Sequence, residues 1–292
     1  MIYKFVYILC INFPVRTFGI LEPKLSSNER IVGGQNVSIS TIPYQVSIRD
    51  KYNNHFCGGA IIDNYNILTA AHCFDRHKKK KLFCAIDATT LNDGNLYAVK
   101  GATVYPGYDA EKIINDIAIL HMAERMEINN KTSKAVPLAI KTPSVNSNCT
   151  ISGWGSDVPP IRPEMALPSF YLRSAQVPIF SMKKCIYNYL TILNVTLDDE
   201  GILCAGFEDG KQDSCQGDSG GPLVCNGNLS GIISWGFGCA LPEIPGIYTD
   251  VAQYRTWVLN NLSKSSSIII RTSVMKIITV PLLLILITFL KT

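Results

Sequence analysis

Gly217-Asp218-Ser219-Gly220-Gly221-Pro222 is the stretch on which the reading of this chain turns. It sets one serine in a tight, glycine-rich turn, where backbone N–H groups can point into a common space and form an anion site beside a nucleophile. By itself a Gly-x-Ser-Gly turn is as readily an ordinary loop. It becomes a chemical site only with a base.

Two other stretches supply candidates. Thr69-Ala70-Ala71-His72-Cys73 ends an apolar strand on a histidine next to a half-cystine, and Asn115-Asp116-Ile117-Ala118-Ile119-Leu120 puts an aspartate at the head of a buried-looking strand. Alone, the first reads as a satisfied core histidine and the second as a turn-capping aspartate. Together they fall in the order His72, Asp116, Ser219, each inside an extended motif, and so the chain resembles the chymotrypsin/trypsin family of serine peptidases from Ile31 to about Leu262.

That resemblance implies an all-β fold of two six-stranded antiparallel barrels, with the active site between them and a C-terminal helix. It implies a serine endopeptidase with His72, Asp116 and Ser219 as catalytic residues and the N–H groups of Gly217 and Ser219 as the oxyanion hole. The chemistry needs these types, because a neutral serine hydroxyl is a poor nucleophile and a histidine must take its proton and return it to the leaving amine. Neither a cofactor nor a metal is implied. The stretch Asp87 to Asn95, where calcium-binding members carry several carboxylates, holds only Asp87 and Asp93.

The resemblance also sets specificity and activation. Asp213, six residues before Ser219, matches the carboxylate at the floor of the primary pocket in members that cleave after Arg or Lys. Ser214, Ser234, Trp235, Gly236 and Gly246 are the expected substrate-binding residues, the two glycines leaving room for a long side chain. Glu29-Arg30-Ile31-Val32-Gly33-Gly34 resembles the activation junction. Cleavage after Arg30 frees the Ile31 ammonium, expected to pair with Asp218. The disulfides implied are Cys57–Cys73, Cys149–Cys225, Cys185–Cys204 and Cys215–Cys239. Cys10 is expected to leave with a signal peptide, and Cys84 stays open between a buried thiol and an intermolecular bridge.

Composition agrees. In 292 residues, 47% are hydrophobic and 17% charged, as in an ordered globular chain. Ten cysteines without paired C-x-x-C spacing and four histidines speak for a disulfide framework in an oxidising compartment rather than a zinc module. The net charge of +4 is modest and much of it sits in Arg76 to Lys81, which excludes a dedicated nucleic-acid binder. That run reads as a solvated loop or as a steering element for acidic substrates. Six Asn-x-Ser/Thr sequons, at Asn36, Asn130, Asn148, Asn194, Asn228 and Asn261, suit a secreted glycoprotein.

Short strand signals run through the chain at Tyr44 to Ile48, Gly59 to Ile62, Ile67 to Ala71, Asp116 to His121, Cys149 to Trp154, Leu229 to Trp235 and Gly246 to Val251, separated by turn residues. Leu82 to Ile86, around Cys84, also reads as a strand. Lys141 to Asn148 reads as the connector between halves. Val251, Tyr254, Trp257, Val258 and Leu262 share one face of a terminal helix, expected on the second barrel.

The domain plan is residues 1–19 signal peptide, 20–30 activation propeptide, 31–262 peptidase domain and 263–292 tail. Ile277 to Leu290 is apolar but interrupted by Pro281. A lipid-anchor signal, a membrane span and a free secreted form all remain open for it. The expected place is secreted or at the extracellular cell surface. Expected partners are protein or peptide substrates and protein protease inhibitors, with a monomer as the working form. The rival reading is a catalytically inactive relative that uses the fold as a binding protein or cofactor.

Overall fold

The structure is a computed structural model that describes residues 31–75, 77, 81–156 and 167–262. The expected signal peptide, the propeptide with Arg30, the tail, and Arg76 with Lys78 to Lys80 lie outside the described residues.

The first unit is built from β2 (Gln45–Arg49), β3 (His55–Ile61), β4 (Asn66–Thr69), β5 (Phe83–Ile86), β6 (Asn95–Val104) and β7 (Ala118–Met122). They close into an antiparallel barrel in the order β2-β3-β4-β7-β6-β5. Strand alternation explains its filling: Val46, Ile48, Ile67 and Ile119 face inward and are fully buried.

The second unit holds β8 (Asn148–Gly153), β9 (Arg173–Pro178), β10 (Ile202–Ala205), β11 (Pro222–Cys225), β12 (Asn228–Trp235) and β13 (Gly246–Asp250). They pair antiparallel in the order β9-β8-β11-β12-β13-β10, and the two-residue β1 (Gln35–Asn36) adds to β9 as a seventh strand. The outer strands meet as well. Phe180 N–H donates to Cys204 O at 2.8 Å and Gly206 N–H to Pro178 O at 3.0 Å, so this unit also curls on itself. The all-β expectation of two barrels therefore holds, with β1 as an addition from the N-terminal segment.

Among the described residues three α-helices accompany the strands, α1 (Ala71–Asp75), α2 (Met182–Leu193) and, after the last strand, α3 at 251–262, besides a 3-10 turn at Ile39–Thr41. Val251, Tyr254 and Val258 of α3 are buried as its periodicity predicts. Those three share a cluster with Val224, Leu229 and Ile232 of the second barrel, and aromatic contacts reach the first barrel too. Tyr254 and Trp257 both meet Tyr105, directly after β6, edge-on at 4.9 and 5.3 Å. The helix thus joins the two barrels, packing on both.

Four disulfides join Cys57 to Cys73, Cys149 to Cys225, Cys185 to Cys204 and Cys215 to Cys239. Cys84 is free, in β5, with no exposed surface.

Candidate active site

The two barrels touch where the candidate residues gather. Gly58 N–H in β3 donates to Ser219 O at 2.7 Å, and Thr249 Oγ1 in β13 donates to Asp116 O at 2.8 Å. Each contact ties a candidate residue of one barrel to backbone or side chain of the other.

His72 sits in the single turn of α1, fixed from behind by the Cys57–Cys73 disulfide. Asp116 lies just ahead of β7 and is 1% exposed. Its Oδ2 is 2.8 Å from His72 Nδ1, and its Oδ1 accepts the His72 backbone N–H at 2.9 Å. Burial opposes ionisation of Asp116, but these bonds and one from Ser234 outweigh it and hold the carboxyl below its ordinary pKa.

Ser219 lines the same cleft as His72, together with Gln216, Ile233 and the pocket residues. The turn before it depends on Gly217, whose φ is +98° and where a side chain would press on Gly155 Cα at 3.1 Å. Among the described residues, neither Gly217 N–H nor Ser219 N–H donates to a protein acceptor. An oxyanion hole needs donors left without a protein acceptor in this way.

Asp213 is 6% exposed and lines the cleft. Its Oδ1 accepts the Ser214 N–H at 2.8 Å and its Oδ2 the Ala240 N–H at 3.0 Å. Burial pushes its pKa up to about 7, against the pull of those two N–H groups. Ser214, Ser234, Trp235, Gly236 and Gly246 all line the cleft with it. At Gly246 a Cβ would come within 3.1 Å of Asp213 Oδ1, whereas at Gly236 the nearest neighbour is 3.8 Å away. A side chain at 246 would cover the carboxylate.

Asp218 points the other way, into the protein. Its carboxylate accepts the N–H groups of Gly155 at 2.8 Å and Cys215 at 3.0 Å. Burial raises its pKa to about 6. Ile31 is 1% exposed, and Val32 bridges to Asp213, so the segment after the expected cleavage point is seated against the pocket loop.

Two residues carry more than the sequence discloses. Ser234, expected as a pocket wall, donates its hydroxyl to Asp116 Oδ2 at 2.6 Å. Its only sequence signal is polarity at the end of Gly231-Ile232-Ile233. Ile113 rims the cleft with φ +52°, a strained value for a β-branched residue. Nothing in its neighbours announces that. His72, Cys57 and Cys73 form a cluster of metal-type donors, but the two sulfurs are spent on a disulfide.

The comparisons with known proteins agree with this geometry. Residues 31–258 match the family model described as Trypsin. The chain is 34% identical over 248 residues to Serine protease 1 of Homo sapiens, covering 84% of this chain and 95% of that protein. It is 39% identical over 248 residues to Trypsin of Simulium vittatum, covering 83% and 97%. Among solved structures it is similar to neuropsin, a serine protease expressed in the limbic system of mouse brain, with 34% identity, a TM-score of 0.69, and coverage of 78% of this chain and 98% of that one. These likenesses span nearly the whole described chain and support serine endopeptidase activity. The chain belongs to the trypsin family of serine peptidases.

Proposed function

We propose that the chain is an endopeptidase that cleaves after Arg or Lys and is made as a zymogen activated at Arg30-Ile31. Asp213 carries the specificity. A buried carboxyl that accepts two backbone N–H groups and lines a cleft with Gly236 and Gly246 offers an acceptor for a guanidinium or ammonium, whose positive charge favours its ionised form.

In this reading Ser219 Oγ attacks the substrate carbonyl carbon while His72 Nε2 takes the hydroxyl proton. The C=O pair moves onto oxygen, held by the N–H groups of Gly217 and Ser219, each worth about 3 to 4 kcal/mol to the transition state. Collapse expels the amine, which leaves with the proton from His72, and an acyl-enzyme remains. Water then repeats the sequence and frees the acid. Asp116 keeps the His72 proton on Nδ1 and stabilises the imidazolium. The backbone of Ser234 to Gly236 takes the substrate as an added strand.

Activation follows from the same turn. The Ile31 ammonium freed by cleavage pairs with the buried Asp218 and so orders the Gly217 to Ser219 turn. The burial of Asp218 and of Ile31 supports that step. Arg30 suits the pocket of this same enzyme, so autoactivation is part of the proposal.

Four disulfides and the trypsin-family relatives support an extracellular or secreted protein that acts on proteins and is restrained by protein inhibitors. Among the described residues no helix is long and apolar enough to cross a membrane. Attachment through the tail is proposed from Ile277 to Leu290, and release of cell-surface protein by a phosphatidylinositol-specific phospholipase tests it.

The test of function is hydrolysis of a small arginyl amide by the activated chain. Ser219→Ala must abolish it, and Arg30→Gln must leave the purified chain inactive. Activity that survives Ser219→Ala would establish the rival reading, a binding protein carrying a contaminant's activity.

A further inference from the structure

Helix α2 leaves an apolar strip in solvent. At about 3.6 residues per turn Tyr187, Leu190, Thr191 and the C-cap Asn194 fall on one face. Tyr187 is 65% exposed and Leu190 47%, whereas Cys185, Asn188 and Tyr189 on the other side of the helix are buried against the fold. The strip therefore takes no part in the core, and contiguous apolar surface of this kind marks a place that something covers.

The same face ends on the sequon Asn194-Val195-Thr196. Asn194 has φ 55° and ψ 37°, the left-handed region that asparagine tolerates at a helix end. Backbone alone makes this cap: Asn194 N–H donates to Leu190 O at 3.1 Å and Val195 N–H to Tyr189 O at 3.0 Å. The Asn194 side-chain amide is exposed and, among the described residues, makes no hydrogen bond. Three other sequon asparagines are engaged. Asn36 Oδ1 accepts from Arg173 Nη1 at 2.8 Å, Asn228 Nδ2–H donates to Asn226 O at 3.0 Å, and Asn261 Nδ2–H donates to Trp257 O at 2.8 Å.

We propose that Asn194 carries an N-linked glycan whose first two N-acetylglucosamine rings lie along α2 over Leu190 and Tyr187. The proposal rests on the reading of the chain as secreted. Asn194 Nδ2 attacks C1 of the first sugar of a lipid-linked oligosaccharide pyrophosphate. The N–C1 bond forms, the C1–O bond breaks, the lipid pyrophosphate leaves with the electron pair, and the amide gives up one proton. Leu190 stands about 6 Å and Tyr187 about 10 Å back along the helix axis, the reach of two linked sugar rings. The apolar face of a sugar packs on the Tyr187 ring while its hydroxyls stay in water. Tethering at the end of the strip keeps the glycan there at high local concentration, which no free partner matches.

The test uses the full chain, secreted by eukaryotic cells and activated. Mass spectrometry of the peptide that contains Asn194 should find the glycan. Thr196→Ala, at an exposed position, removes the sequon and keeps the cap. Hydroxyl-radical footprinting should oxidise Tyr187 roughly twice as fast in that variant, because a bound sugar shields one of the two faces of the ring. Trimming the glycan to a single N-acetylglucosamine with an endoglycosidase should free Tyr187 to the same extent, and it carries the same readout should Thr196→Ala fold poorly. Hydrolysis of an arginyl amide should be unchanged in both. Equal oxidation of Tyr187 with and without the glycan would overturn the proposal, as would a dimer that protects Tyr187 in Thr196→Ala. A bare Asn194 beside occupied sequons elsewhere sinks this site alone, while a chain kept inside the cell with every sequon bare sinks the secretion reading along with it.

Discussion

Asp116 Oδ2 is shared: it lies 2.8 Å from His72 Nδ1 and accepts the Ser234 hydroxyl at 2.6 Å. The aspartate that orients the histidine is thus itself oriented by a residue of the second barrel. Asp116→Asn should lower kcat by about 10⁴-fold, because an amide that donates reverses the proton preference at Nδ1. Ser234→Ala removes one bond to the carboxylate and should cost roughly tenfold in kcat. Steady-state rates on an arginyl amide check both, and equal losses would refute the ranking.

Asp213 ionises at about 7 in the unliganded pocket. A cationic ligand binds the carboxylate form, so protonation below that value competes with it. Inhibition by benzamidine should therefore weaken as pH falls through about 7, approaching tenfold per pH unit below it. Asp213→Asn should bind weakly and without that slope. A flat profile in the unmutated enzyme would contradict the shift.

The same shifts bear on stability before cleavage. Asp213 and Asp218 ionise at about 7 and about 6 when folded, above the ordinary aspartate value. Between about pH 4 and these values the folded chain holds protons that the unfolded chain has released, so stability falls as pH rises through that window. The Tm of the uncut Arg30→Gln chain should drop from pH 5 to pH 7, and Asp213→Asn should flatten the slope. Calorimetry at the two pH values measures it; an unaltered slope in the variant would remove Asp213 as the cause.

Cys84 sits in β5 with 0% exposure, and burial drives its thiol pKa upward. An intermolecular bridge needs an accessible sulfur, so the buried-thiol alternative is the one the structure supports. Iodoacetamide should leave Cys84 unmodified in the folded enzyme and label it in denaturant. Rapid labelling of the native protein would show an open β5.

Much of the fold was legible in the sequence because its strands are apolar and bounded by turns. Leu229 to Trp235 and Gly246 to Val251 correspond to β12 and β13 within a residue. Strand β6 gave no such signal, since Asn95–Val104 lies largely on the surface and lacks a buried alternating face. Helix α2 escaped for a different reason. Cys185-Ile186-Tyr187-Asn188-Tyr189 is rich in strand-forming types, and tertiary packing of Cys185, Asn188 and Tyr189 sets its conformation. The site was readable where motifs are contiguous, at His72, Asp116 and Ser219. The links from Ser234 to Asp116 and from His55 to the Gly217 carbonyl were not, because they exist only once the barrels meet.

The most direct test is the ratio of kcat/KM for arginyl and phenylalanyl amides in the activated enzyme and in Asp213→Ser. The account predicts a strong preference for Arg that Asp213→Ser abolishes, while the reactivity of Ser219 with a small organophosphonate persists. An unmutated enzyme without preference for Arg, or an Asp213→Ser variant that keeps it, would contradict the proposed specificity.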